Sequence, residues 1–169
     1  AMVSFDLGGP VNKAAYAFCL GAMGNGNLIP YATFASVKMV SAFTTTLVTK
    51  LKPKYFLEEE RELGNSTWIL GLAGITEGAI PVALNDPFRV LGSFVAGSMV
   101  TGAIVAYFKL GLGVPGAGIL SMLFMNWNGA ESSLMGGIVW FAAALVGTVI
   151  STILLLILKG HKYKKSLGQ

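Results

Sequence analysis

Gly71-Leu-Ala-Gly-Ile-Thr-Glu-Gly-Ala-Ile-Pro-Val-Ala-Leu-Asn-Asp-Pro-Phe-Arg89 sets a single carboxylate, Glu77, inside an apolar run that cannot hold a regular helix. Gly74 and Gly78 loosen the backbone on either side, and Pro81 removes a backbone donor. An isolated carboxylate in hydrocarbon is costly, and non-helical backbone at membrane depth persists only where it is packed in protein or lines a cavity. The stretch therefore reads as a broken membrane hairpin that presents Glu77 to a polar ligand. The plainer alternative is a buried glutamate capping a neighbouring helix end. Intramembrane ionisable groups are functional by default, which favours the first reading.

The surroundings are those of a membrane protein. Hydrophobic residues make up 54% of the chain and charged ones only 12%, against roughly a quarter charged in a soluble domain. Mean hydropathy is +0.68. More than half of the charges fall in Lys50–Glu62 and Lys159–Lys165, with nearly bare stretches between them. The net charge of +4 could point to nucleic acid, but the second lysine cluster directly follows a hydrophobic run. It reads as positive-inside flanking of a membrane helix, with no nucleic-acid partner. Cys19 and His161 are the chain's one cysteine and one histidine, too few for a disulfide framework or a protein-only zinc site. No metal and no cofactor are expected.

The opening Ala1-Met-Val-Ser-Phe-Asp6 lacks the basic region of a signal peptide. It begins abruptly, as a piece of a longer membrane protein would. Asp6-Leu-Gly-Gly-Pro-Val-Asn-Lys13 then forms a turn feeding a half-helix, with Pro10 near its first turn. The helix amides and Lys13 together form an anion or hydroxyl site, unless Asp6 and Lys13 simply pair with each other or with water. Ile29–Leu51 is long enough to span a bilayer and carries Lys38 near its middle, facing protein or water, where it serves a substrate pathway or merely pairs with a carboxylate, or snorkels from within a tilted helix.

Residues 52–66 read as a cytoplasmic loop whose acidic run, Glu58 to Glu62, is a solvated face, with Ser66 or Thr67 capping the next helix. Asp86 can cap a helix beginning at Pro87 or Phe88, and Arg89 in its first turn requires a compensating carboxylate, either Asp86 or Glu77. Val90–Tyr107 and Leu134–Leu158 are clear spans. Each carries small residues every four positions, Ser93-Gly97-Thr101 and Ala143-Gly147-Ser151, suited to close helix packing. Gly111-Leu-Gly-Val-Pro-Gly-Ala-Gly118 is a second glycine-rich break, read with Ile119–Trp127 as a second re-entrant hairpin, the alternative being a tight turn between spans. Residues 159–169 form a cytoplasmic tail. The fold class is thus an all-α membrane protein of transmembrane helices with two re-entrant, Gly/Pro-broken hairpins.

Two of these stretches also carry a family likeness. Asp6-Leu-Gly-Gly-Pro-Val-Asn-Lys-Ala-Ala-Tyr16 resembles the signature of the membrane (IIC) component of bacterial fructose-type phosphotransferase system permeases. Gly74-Ile-Thr-Glu-Gly-Ala-Ile-Pro81 with Asp86-Pro87-Phe-Arg89 resembles a second stretch of that family, in the same order. The resemblance covers nearly the whole chain and implies residues 1–169 are the C-terminal, substrate-binding part of such a domain, a fragment inactive by itself. It implies sugar transport across the bacterial inner membrane coupled to phosphorylation. A phosphocysteine on a cytoplasmic IIB partner donates phosphate to a hydroxyl of fructose or a related hexose or hexitol, in a multi-pass homodimer with a cytoplasmic C-terminus.

Carried onto this chain, the resemblance makes Glu77 the catalytic acidic residue, binding the sugar and acting as base toward the attacked hydroxyl. Thr76, Gly74 and Gly78 shape the same loop, and Asn12 and Lys13 line the site. Asp86 and Arg89 join them as substrate-binding residues. Many fructose-type members carry Pro-His-Gly-Gly where this chain has Val114-Pro-Gly-Ala-Gly118, so the second hairpin offers no imidazole and the sugar is left open. The rival readings are a facilitator or ion-coupled sugar carrier without phosphoryl transfer, and a non-catalytic membrane scaffold.

Overall fold

The computed structural model describes residues 1–129 and 131–166. Ala130, in the polar loop before the last span, and the end of the expected tail, 167–169, lie outside the described residues. Among the described residues seven α-helices run in chain order: α1 (Met2–Phe5), α2 (Pro10–Gly24), α3 (Ile29–Leu51), α4 (Glu58–Ala73), α5 (Ile80–Asn85), α6 (Pro87–Tyr107) and α7 (Leu134–Ser166). Between α6 and α7 a two-residue ladder, β1 (Gly111–Leu112) with β2 (Met125–Asn126), pairs antiparallel. Among the described residues two helices, α6 and α7, are long and apolar enough to cross a membrane. The architecture is that of an all-α membrane protein.

The core is built on α3. It covers the Ile29–Leu51 stretch read as long enough to span and is about 34 Å long at 1.5 Å per residue, but it is less apolar than α6 and α7 and is not among the two candidates. The reason is its Ser and Thr content and Lys38. Protein covers most of it, including Ser36, Ser41, Thr44 and Thr45, which are fully buried. Thr45 and Thr49 donate back to the carbonyls of Ser41 and Thr45 at 2.9 and 2.8 Å, the usual way a hydroxyl is satisfied inside a buried helix. Trp140 of α7 donates from its indole to the Ala32 carbonyl at 2.8 Å, locking α7 across α3.

The two small-residue stripes prove to be opposite sides of one contact. A Cβ added at Gly97 would stand 2.7 Å from the Ser151 Cβ and overlap the Gly147 carbonyl. Thr101 donates to the Ala143 carbonyl at 3.0 Å. With no side chain between them, the α6 and α7 backbones approach closely, as small-residue helix pairs in membranes do.

One expectation is overturned. The stretch from Glu58 to Ser66, read as loop, is the first half of α4. Its start is fixed by Glu60, whose carboxylate accepts the Leu57 N–H at 2.7 Å, and three glutamates favour the positive end of the helix dipole. Ser66 and Thr67 are therefore not caps. They lie inside the helix, where Thr67 donates to the Leu63 carbonyl at 2.6 Å.

The helix ends where the break was read. Gly74 adopts φ +76°, its N–H bonds the Gly71 carbonyl at 2.9 Å, and the Ile75 N–H bonds the Leu70 carbonyl at 2.8 Å. This pair of bonds is the Schellman arrangement, which needs a left-handed residue and so selects glycine. A short 3-10 turn, Glu77–Ala79, leads into α5, and Asn85 at its end donates to Glu60 at 3.2 Å. The segment thus leaves along α4 and returns along α5 to the same end, with Glu77 at the tip.

Candidate functional site

Three segments distant in sequence converge on that tip. The loop from β1 toward the 3-10 turn Ile119–Phe124 reaches the end of α4 through Gly118, which adopts φ +79°. A Cβ at Gly118 would overlap the Leu72 carbonyl, and one at Gly74 would stand 2.5 Å from the Gly118 nitrogen. The two glycine-rich breaks therefore touch backbone to backbone. On the other side, the α1–α2 turn meets Glu77 at Gly8 (φ +104°), where an added Cβ would lie 2.7 Å from the Glu77 Oε1. Only a glycine lets the turn and the carboxylate come so close.

Between these segments is a cavity of about 400 Å³, lined from α2 by Asn12, Lys13 and Tyr16, from α3 by Tyr31, Phe34 and Lys38, and from the two breaks by Thr76, Glu77 and Pro115-Gly116-Ala117. Its size falls within the roughly 300–1,000 Å³ of small-molecule sites. Thr76 is buried, with its hydroxyl 3.4 Å from the Glu77 Oε2, while Glu77 itself faces the opening. Tyr16, Tyr31 and Phe34 form one aromatic wall, with ring centroids 5.5 to 6.1 Å apart.

Five of the expected residues meet here in different capacities. Glu77, Thr76, Asn12 and Lys13 line the cavity, and Gly74 holds its rear wall through the Gly118 contact. Asn12 is also committed structurally, donating from its amide to the Val3 carbonyl at 3.0 Å. Gly78 faces inward against Thr67 and Leu70 rather than the cavity. The anion expected at the start of α2 is the chain's own: the Asp6 carboxylate accepts the Val11 and Asn12 N–H groups at 2.6 and 3.0 Å. Lys38 and the tyrosines were not singled out for this site. A lysine in the middle of an apolar helix was the available signal, but sequence gives no face for it.

Asp86, with Arg89 paired to it, sits apart, lining a second cavity region at the other end of α4 and α5. It is about 360 Å³ and is lined by Lys54, Glu60, Asp86, Lys159 and Lys162 among others. Asp86 accepts Arg89 at 3.0 Å and Lys162 at 3.1 Å, so it, not Glu77, is the carboxylate that compensates Arg89. Glu60, expected on a solvated face, is buried and lies 3.8 Å from Lys159, whose ammonium stacks 4.1 Å above the Phe56 ring. Tyr55 and Tyr163 meet with centroids 5.1 Å apart, which puts the end of α3 beside the end of α7.

Burial raises the Asp86 carboxyl, but hydrogen bonds from Lys162 and Arg89 and their charges more than reverse this, holding it below the ordinary carboxylate range. A depressed folded-state pKa stabilises the fold above the unfolded value and is lost as pH falls through the folded one. Asp86→Asn is expected to lower stability at pH 7 by about 1–2 kcal/mol, because the cations, exposed at 39% and 54%, rehydrate readily. The gap from the parent protein should close as pH falls through the depressed value. Thermal unfolding of the detergent-solubilised full-length protein at pH 7 and in acid checks this.

The chain is 65% identical over 163 residues to the PTS system 2-O-alpha-mannosyl-D-glycerate-specific EIIABC component of Escherichia coli (strain K12), covering 96% of this chain and 25% of that protein. It is 38% identical over 151 residues to a PTS system fructose-specific EIIB'BC component of Vibrio cholerae serotype O1, covering 89% of this chain and 25% of that protein. To the Fructose-like permease IIC component 2 of Escherichia coli (strain K12) it is 36% identical over 160 residues, 94% of this chain and 42% of that one. The chain spans about a quarter of the length of the first two relatives. No family model matches. No solved structure matches.

Proposed function

Because the chain belongs to the membrane (IIC) components of the fructose-type phosphotransferase system, we propose that it forms the substrate-binding part of a permease that moves a sugar across the bacterial inner membrane while a phosphorylated IIB domain phosphorylates it. The observation that carries this reading is Glu77, held at a Gly-broken tip against the turn of the other family motif and facing a cavity of sugar-binding size. Glu77 accepts the proton of the attacked hydroxyl as the phosphocysteine of IIB transfers its phosphoryl group to that oxygen. Asn12, Lys13 and Thr76 orient the sugar, Gly74 and Gly78 shape the loop, and the aromatic wall packs against the apolar face of the ring.

In this reading α6 and α7 cross the bilayer, and the α4–α5 pair and the 111–127 loop enter it as re-entrant hairpins from opposite sides. The lysine-rich ends at 50–54 and 159–166, brought together by Tyr55 and Tyr163, face the cytoplasm and the IIB partner. Residues 52–66 lie on that side, with Asp86 and Arg89 holding the hairpin base rather than the sugar. The complete permease is a multi-pass homodimer, and residues 1–169 alone do not turn over. The higher identity to the mannosyl-glycerate-specific relative makes a hexosyl-glycerate the substrate of first choice, ahead of fructose.

Uptake of radiolabelled substrate by vesicles holding the full-length protein tests this. Label should accumulate as a phosphate ester, and only with phosphorylated IIB inside. Accumulation of unmodified sugar at the same rate without IIB would assign a carrier mechanism instead.

A further inference from the structure

The charges around the first cavity do not balance. Lys13 and Lys38 line it against the single carboxylate of Glu77, one positive charge in excess. Among the described residues, neither ammonium has a carboxylate within 4.0 Å. Lys13 is exposed and can be hydrated. Lys38 is half-buried on α3, with its ammonium 5.0 Å from the centroid of the Phe34 ring and Glu77 as its electrostatic partner at longer range. The ring face accepts no N–H bond of carboxylate strength, so the ammonium's remaining N–H groups are left to solvent in the cavity. A neutral hexose filling the cavity would displace that solvent without offering the ammonium an anion. A ligand with its own anion offers one.

Resting on the reading of this cavity as the sugar site, we infer that Lys38 selects a carboxylate-bearing glycoside, its ammonium pairing with the aglycone carboxylate while the hexose hydroxyls face Glu77. The arrangement separates the two roles. Glu77 comes from the tip after α4, and Lys38 from the middle of α3, with the aromatic wall of Tyr16, Tyr31 and Phe34 alongside. A substrate carboxylate is thereby drawn to the lysine side and repelled from Glu77, which orients the glycoside with its hexose toward the base. Lys13, on the rim, adds attraction without fixing direction. Lys38 is thus a specificity-determining residue, distinct from the catalytic carboxylate.

Equilibrium displacement on the purified full-length permease tests the assignment without IIB or phosphoryl transfer. The competitors are 2-O-α-mannosyl-D-glycerate and its uncharged carboxamide, of nearly the same shape. The parent protein should prefer the acid by about 10- to 100-fold, the range of one charge-assisted hydrogen bond. Lys38→Met should bring the ratio near one, and Lys38→Arg should restore most of it, which separates lost charge from a misfolded site. A ratio unchanged in Lys38→Met, or a parent protein that binds acid and amide equally, overturns the inference and leaves the sugar-site reading standing. A parent protein that binds neither overturns both.

Discussion

Glu77→Gln in the full-length permease is expected to lower IIB-dependent phosphorylation of the sugar by about 10²- to 10⁴-fold, the usual worth of a positioned general base. Glutamine keeps the length and planarity of the side chain, so it can still lie against Gly8 and beside the Thr76 hydroxyl. It cannot take a proton. The loss should therefore fall mainly on the rate at saturating sugar, with equilibrium binding reduced far less, since an amide still exchanges hydrogen bonds with hydroxyls. Single-turnover phosphoryl transfer from purified phospho-IIB separates the two. A variant within tenfold of the parent rate would remove Glu77 from the base's role. Asp86→Asn is the matched control, as it also removes a carboxylate from the same motif stretch but from the other cavity. It should cost stability and leave the transfer rate near that of the parent.

That control depends on a separation the sequence did not reveal. Glu77 and Asp86 are close in the chain and within one matched stretch, which grouped them as one site. Six residues of helix in α5 are enough to carry Asp86 back to the base of the hairpin, beside Lys162. The break itself was legible because its signals are local: a glycine where the backbone must turn left-handed, and a proline soon after. The spans α6 and α7 were legible because apolar length alone identifies them. What distance along the chain hides is pairing. The run 58–62 is solvated as read at Glu58, Glu59, Arg61 and Glu62, but Glu60 is buried because its partner, Lys159, comes from the far end of the chain. Lys38 was visible as an anomaly, but which helix face it occupies follows from the packing of α3, and α3 is covered on most sides. The loop between β1 and β2 could not be placed either, because strands of two residues lie below any periodicity and its docking is decided by one backbone contact.

That contact makes Gly118→Ala a damaging substitution for the candidate site. Gly118 adopts φ +79° with ψ −174°, a region essentially reserved for glycine that costs an L-residue on the order of 1–3 kcal/mol even in open space. Here the space is closed. The added methyl would overlap the Leu72 carbonyl and stand 2.6 Å from the Ala73 carbonyl carbon, both backbone atoms of the last turn of α4. No rotamer change can relieve a clash with backbone, so one of the two breaks must withdraw. The loop is the freer of the two, because α4 is tied by its Schellman bonds and by the Glu60 contacts at its other end. When the loop withdraws, Pro115-Gly116-Ala117 leave the cavity wall and Glu77 loses the surface opposite the α1–α2 turn. Sugar binding by the full-length protein should fall at least tenfold in equilibrium displacement. Global unfolding should shift only modestly, since the α3–α6–α7 core lies elsewhere. The equivalent change at Gly113 serves as comparison: φ there is unexceptional, and the nearest atom to an added Cβ is the Asn126 side-chain nitrogen at 3.5 Å. Gly113→Ala should bind as the parent does. If Gly118→Ala also bound normally, the two breaks would not meet as described, and the wall of the proposed sugar cavity would have to come from another part of the protein.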